Sequence, residues 1–354
     1  MFSLPRMVLI LLFFSIVCLV PRALAHGAAG SALEERIHFY SHQLEENPTL
    51  WGGRLELAAA YLERARARHD PRDLERARAA VELSLATQPS ARGFKLAAAA
   101  ANFAHRFDEG RSWALRARAA APEDAEAGAI LAEAFLGLGR YRQVEALLPF
   151  AGDAPLPRFY TAAVRGRWQA ELGEFDAAVE AFRAAAAIAG REGLPKLLQW
   201  AEVRTAESLL AAGRRPSAVE ARNRARGAAA EPAVPSAEVR LLDARLLEAA
   251  DRREEALAVY QELLLQGGDP ELHRQAHRLA RGLGRQTTAE HHFRAAEAAY
   301  LEPMAAGEVY SLEGLAGLYC EAGRHLERAR ELAEENLRFK KDASARRVVA
   351  CLRD

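Results

Sequence analysis

The chain has 354 residues, of which 50% are apolar and 7% aromatic, and its 48 Lys and Arg residues balance 48 Asp and Glu residues. Because the net charge is zero, the sequence lacks the basic excess that favours nucleic acids or anionic membranes, and we expect no nucleic-acid partner. Alanine dominates the apolar residues, which favours closely packed helices over sheets.

The amino terminus carries a candidate targeting segment. Arg6 precedes an apolar run of 13 residues from Val8 to Val20, and Ala23-Leu24-Ala25 follows. A cationic start, a short apolar run and an A-x-A ending are typical of a cleavable secretory signal over residues 1–25. The run is shorter than the roughly 20 residues that cross a membrane, so we expect no membrane span after cleavage. We therefore predict a mature protein that starts at His26 and is periplasmic or secreted.

Residues 26–50 follow, and the stretch LEERIHFYSHQLEENP within them predicts a lone capping helix. From Trp51 onward the chain repeats one pattern, which is clearest in LGEFDAAVEAF, residues 172–182. On a helix, Phe175, Ala178 and Phe182 share one face, while the preceding Gly173 breaks the helix before them. The position of that break recurs at His105, Gly139, Gly173, Gly213, Asp251, Gly284 and Gly323.

Successive breaks are 33 to 40 residues apart, a period typical of solenoids built from helical hairpins. The units resemble the tetratricopeptide repeat, in which about 34 residues form two antiparallel helices. The resemblance implies an all-α superhelical solenoid of about seven to eight repeats with capping helices. We expect one array over residues 51–190, a second over 191–342 and a capping helix over 343–354. Gly190, Gly193 and Pro195 lie at the expected boundary, which makes it a candidate hinge.

The resemblance also implies a concave groove, lined by the first helix of each repeat, that binds a protein or peptide. We expect Tyr160 and Trp200 to be exposed anchors in this groove and the arginines to pair with carboxylates or a chain terminus. The residues at the groove-facing places of the repeats are Arg92, Lys95, Asn102, Phe103, Glu133, Tyr160, Arg167, Trp200, Glu207, Arg245, Arg274, Arg278 and Arg281.

Catalytic motifs such as G-x-S-x-G, a glycine-rich phosphate loop, H-E-x-x-H and C-x-x-C do not occur in the sequence. We therefore predict a non-catalytic scaffold or adaptor without a cofactor, which acts outside the cytoplasmic membrane and is able to self-associate. An enzyme whose site is assembled from scattered groove residues is a lesser alternative.

The main alternative is an envelope metal-binding accessory protein. Cleavage after Ala25 would expose the amine and ring of His26, which together chelate copper. Glu35, His38 and His42 are spaced at i, i+3 and i+7 on the predicted capping helix. His273 and His277 repeat the i, i+4 spacing, although both fall at packing positions of a repeat.

Two cysteines, Cys320 and Cys351, remain after the predicted cleavage. If the last helix starts near Ala343, both cysteines lie on the same face of the solenoid. A disulfide between them would then fasten the final capping helix, provided that the strict geometry of such a bond is met.

Overall fold

A computed structural model describes residues 28–68, 71–150, 154–228, 236–265, 269–305 and 307–352. In these ranges the chain forms 18 helices and no strand. The helices are α1 (Ala28–Glu46), α2 (Trp51–Arg68), α3 (Pro71–Thr87), α4 (Ala91–Phe103), α5 (Phe107–Ala120), α6 (Ala125–Gly137), α7 (Tyr141–Leu147), α8 (Pro155–Glu171), α9 (Phe175–Arg191), α10 (Pro195–Ala211), α11 (Arg215–Gly227), α12 (Ala237–Ala249), α13 (Arg253–Leu264), α14 (Pro270–Gly282), α15 (Gln286–Ala305), α16 (Leu312–Ala322), α17 (Leu326–Asn336) and α18 (Ala343–Cys351).

The helices pair in chain order into eight hairpins, from α2–α3 to α16–α17, with α1 before the first and α18 after the last. We call the earlier helix of each hairpin its first helix and the later one its second helix. The predicted all-α solenoid is confirmed. The predicted signal over residues 1–25 lies outside the described residues, and no described helix combines the length and apolar character that a membrane span requires.

Each predicted break lies in the turn between the first and second helix of a hairpin. All seven break residues have a positive φ, between 55° and 78°. A side chain in this left-handed conformation costs about 1–2 kcal/mol, which glycine avoids. His105 and Asp251 adopt it without being glycine, so the turn geometry recurs even where the sequence motif is degenerate.

First helices of successive hairpins pack directly on one another, as in α2–α4, α4–α6, α6–α8, α10–α12 and α14–α16. Among the described residues, no pair of successive second helices makes a comparable contact. The first helices are therefore closer together than the second helices, and the array curves toward them. We call this concave side the first-helix face.

The small residue in the repeat motif marks a close helix contact. Ala178 is fully buried, and a Cβ added to Gly166 on the preceding helix would lie 2.7 Å from the ring of Phe182. The core that holds these residues continues across residue 190 to Leu197 and Trp200. The connection between the two predicted arrays is thus well packed, and their division at residue 190 stays a prediction.

Candidate first-helix binding face

Ion pairs link successive hairpins along the first-helix face. Each joins a residue of one first helix to a residue of the next, and together we call them the inter-repeat ladder. Its members are Glu56–Arg92, with a nitrogen–oxygen distance of 2.7 Å, Glu133–Arg167 and Arg204–Glu238, both at 3.1 Å, and Glu207–Arg245, Glu248–Arg278 and Arg274–Glu321.

Near the amino-terminal end of the ladder, a further group of polar side chains on the first helices is largely buried. Lys95 Nζ is 2.7 Å from carboxylate oxygens of both Asp124 and Glu126. Asn102 donates to the backbone oxygen of Ile130 at 3.0 Å, and its amide also lies 3.3 Å from Glu133. Because Lys95, Asn102 and Glu126 are buried, they are poor candidates for ligand contacts.

The carboxy-terminal part of the face is exposed. The side chains of Arg245 and Arg278 are 43% and 42% exposed although each pairs with a glutamate. Arg281 is also exposed and donates to the backbone oxygen of Glu321. Exposed ion pairs contribute no more than about 1 kcal/mol, so a ligand carboxylate can replace them at little cost. We call Arg245, Arg278 and Arg281 the arginine stripe.

One buried carboxylate lies beside this stripe. Burial raises the pKa of Glu238 to about 7, although the guanidinium of Arg204 opposes the shift. Arg204 also pairs with Glu207, the ladder partner of Arg245. Glu207 thus connects the Arg204–Glu238 pair to the exposed Arg245.

The prediction that Tyr160 and Trp200 are exposed anchors is wrong. They are only 3% and 1% exposed, and the Trp200 ring packs edge-on against Phe159 at 6.1 Å and Phe182 at 5.8 Å. The cause is packing across three helices, because Phe159 and Tyr160 of α8, Phe182 of α9 and Trp200 of α10 belong to one hydrophobic core.

The loop between α15 and α16 contacts the first two hairpins. Glu308 pairs with Arg78 at 3.1 Å and with Arg106 at 3.4 Å. Tyr310 packs against the same buried cluster as Phe103, the remaining predicted groove residue. We call these contacts and those of residues 341–343 the closing contact. It joins the end of the array to its beginning.

Residues 341–343 make the second half of the closing contact. The backbone NH of Lys341 donates to the oxygen of Gly137 at 2.7 Å, and that of Ala343 donates to Glu171 Oε2 at 3.3 Å. At Gly139 the two chain segments approach so closely that an added Cβ would lie 2.6 Å from the oxygen of Lys341. The closing contact therefore depends on a residue without a side chain at this turn.

Solved structures with the same arrangement of helices identify the fold. Human IFIT1, solved as a dimer with m7Gppp-AAAA, superimposes with a TM-score of 0.53 at 17% identity, over 88% of this chain and 77% of IFIT1. IFIT1 with PPP-AAAA gives 0.51 at 17% identity, over 81% and 72%. The APC/C hetero-tetramer Cut9–Hcn1 gives 0.50 at 14% identity, over 84% of this chain and 56% of the other.

IFIT1 and Cut9 are tetratricopeptide-repeat proteins. The fold is a tetratricopeptide-like solenoid. No protein-family model matches the sequence, and no curated protein does. At identities this low, the likeness establishes the fold alone.

The solenoid contains a hydrogen-bonded histidine pair between α14 and α15. Nδ1 of His273 lies 3.0 Å from Nδ1 of His292, and the side-chain amide nitrogen of Gln261 lies 3.3 Å from Nε2 of His292. With Gln261 donating, His292 carries its proton on Nδ1 and donates it to His273. Burial first, and then His273 and other nearby histidines, lower the pKa of His292 to about 4. Burial also lowers the pKa of His273.

This pair makes the stability of the solenoid depend on pH. In the unfolded chain His292 becomes protonated below the ordinary histidine pKa of 6.5, whereas in the folded protein it stays neutral down to about pH 4. The free energy of unfolding therefore falls as the pH is lowered between these two values. We expect His292→Gln to lose less stability than the wild type when the pH is lowered from about 7 to about 5. Urea unfolding at the two pH values measures this, with exposed His38→Gln as the control. Equal losses in wild type and His292→Gln would contradict it.

The residues proposed for the metal-binding alternative do not form a metal site in the part of the chain that the structure describes. Glu35, His38 and His42 are exposed on α1, and His26 lies outside the described residues. In the described part of the chain, no group of three His, Cys, Asp or Glu side chains is arranged to hold a metal ion. A site that involves His26 stays a prediction.

Cys320 and Cys351 form a disulfide in this structure, with their Cα atoms 6.5 Å apart. The bond joins the first helix of the last hairpin, α16, to the capping helix α18. Residues at the start of α18 belong to the closing contact, so the disulfide fastens the helix that carries part of this contact.

Proposed function

We propose that this protein is a non-catalytic scaffold that binds a carboxylate-bearing protein segment or peptide along its first-helix face. The observation that carries the proposal is the arginine stripe, which lies exposed on the concave side of a tetratricopeptide-like solenoid. Guanidinium groups bind carboxylates through two parallel hydrogen bonds, and an arrangement of several suits an extended acidic segment.

The contrast between the two ends of the first-helix face supports this location. Lys95 and Asn102 are buried, whereas the side chains of Arg245 and Arg278 are 43% and 42% exposed. A ligand carboxylate that replaces Glu207 or Glu248 forms a new pair, while Glu207 keeps its ion pair with Arg204 and Glu248 keeps its hydrogen bond from the Tyr260 hydroxyl. The exchange therefore costs little, and binding should weaken as the salt concentration rises.

We also propose that the protein acts outside the cytoplasmic membrane. The cationic start, the apolar run from Val8 to Val20 and the Ala23-Leu24-Ala25 ending support export. The disulfide supports it as well, because such bonds persist in oxidising compartments. Fusing residues 1–30 to a reporter that is active only after export tests the proposal, and an inactive fusion that stays in the cytoplasm would contradict it.

Affinity capture from envelope extract with the chain that starts at His26 tests the scaffold proposal. We expect one or more partners that are lost, by about 10-fold or more, when Arg245, Arg278 and Arg281 are all changed to Gln. The control changes Arg142, Arg183 and Arg191 to Gln, because these exposed arginines lie on second helices and give the same change in charge. A partner that binds all three proteins equally at unchanged helicity would overturn the location of the site.

A further inference from the structure

We infer that Arg78, Phe103, His105 and Arg106 form a receptor for a peptide with an acidic residue two positions before an aromatic one, and that the chain's own Glu308-Val309-Tyr310 fills this receptor. We call the four receptor residues the turn-edge site. The inference rests on the proposed scaffold function and deepens it, because it names a class of segment that the solenoid recognises.

The acidic position is defined by two arginines from separate elements. Arg78 on α3 and Arg106 in the turn after α4 both reach Oε1 of Glu308, at 3.1 and 3.4 Å. Arg106 also donates to the backbone oxygen of Gly307 at 3.3 Å. The Glu308 side chain is only 4% exposed. The buried carboxylate of Glu308 thus balances the charges of two guanidinium groups. This position therefore needs an anion, whether the anion comes from this chain or from a bound peptide.

The aromatic position lies on the adjoining turn. The ring of Tyr310 meets that of His105 edge-on, with centroids 6.4 Å apart, and packs against the alanine-rich cluster beside Phe103. His105 in turn stacks on Phe107 at 5.6 Å. Burial and the nearby Lys340 cation lower the pKa of His105 to about 3, so its ring is neutral and suited to an aromatic contact.

The occupying segment is a short loop. It lies between the end of α15 at Ala305 and the start of α16 at Leu312. Glu308 and Tyr310 reach the turn-edge site, while Val309 between them packs against the carboxy-terminal core. The Leu312 NH donates to the Val309 oxygen at 3.2 Å, so the turn that presents Tyr310 lies within residues 309–312 and is contained in a peptide of residues 306–312.

Tethering explains why an external peptide needs further contacts. A segment held near its site has an effective concentration of about a millimolar, so a competitor with the same two side chains binds the intact protein weakly. A partner that also contacts the arginine stripe overcomes this difference. Its binding would displace Glu308 and Tyr310 and open that half of the closing contact.

The test removes the two side chains that occupy the turn-edge site, in the chain that starts at His26, and then adds a peptide that carries them. The emptied protein carries Glu308→Ala and Tyr310→Ala, and the probe is a fluorescein-labelled peptide of sequence AGEVYSL, read by fluorescence polarisation. We expect a Kd on the order of 10–100 µM for the emptied protein and binding at least about 10-fold weaker for the wild type. Adding Arg78→Ala and Arg106→Ala to the emptied protein, or using the peptide AGQVASL, should abolish binding.

An emptied protein with wild-type helicity that fails to bind AGEVYSL at about 1 mM would overturn the inference. If the double variant does not fold, the single variant Glu308→Gln serves, with an expected affinity between those of the wild type and the emptied protein; an affinity equal to that of the wild type would also overturn it. Partner capture through the arginine stripe is measured separately. Loss of peptide binding with retained capture therefore refutes the turn-edge site and leaves the scaffold proposal intact.

Discussion

Replacing Ala178 by arginine is expected to lower the free energy of unfolding by about 4 kcal/mol. Ala178 is fully buried in the core that also holds Phe159, Phe182 and Trp200. A guanidinium there would be too large for the closely packed helices and would lack a counter-charge, and both effects destabilise a core. Urea unfolding followed by circular dichroism measures the change.

Glu180→Arg is the matched control, since Glu180 is exposed on the same helix, α9. It introduces the same side chain two residues away and should change stability by less than about 0.5 kcal/mol. If Ala178→Arg unfolds at the wild-type urea concentration, the assignment of Ala178 to a tight helix contact is wrong.

Gly139→Ala is expected to cost about 2–3 kcal/mol of stability and to loosen the closing contact. Gly139 has a φ of 64°, which alanine adopts only with strain. The new Cβ would also lie 2.6 Å from the backbone oxygen of Lys341, which has to move away. We therefore expect the Lys341 amide, now bonded to Gly137, to exchange its hydrogen faster with solvent.

Gly173→Ala separates the two causes. Gly173 has a φ of 78° in the equivalent turn, but an added Cβ would have no neighbour within 4 Å. It should cost only the backbone strain, about 1 kcal/mol, and leave hydrogen exchange at Lys341 unchanged. Equal effects of the two substitutions would mean that the approach of residues 341–343 to Gly139 adds nothing to stability.

The closing contact changes how the scaffold is expected to work. In an open array Arg78, His105 and Arg106 would be available to a partner, whereas here the loop between α15 and α16 covers them through Glu308 and Tyr310. The arginine stripe stays exposed at the other end of the face. A partner would therefore reach the stripe first and then compete for the turn-edge site.

The sequence alone was sufficient to predict the hairpins and their turns. Gly173 and its equivalents recur because a positive φ is a local demand, met within a few residues of the chain. The period of 33 to 40 residues and the small Ala178 between two large side chains reflect contacts between neighbouring hairpins, which are close in sequence as well as in space. For this reason the all-α solenoid was predictable without coordinates.

The tertiary structure decided which side chains are free. Places in a repeat identified the first-helix face, but they did not show that Arg245 and Glu207 of successive first helices pair. Nor did they show that Tyr160 and Trp200 are buried in a core with Phe159 and Phe182. Still less did they show that Glu308 meets Arg78, 230 residues earlier in the chain. Such contacts depend on the accumulated curvature of the whole array, to which every hairpin contributes a small rotation, and no local pattern records that sum.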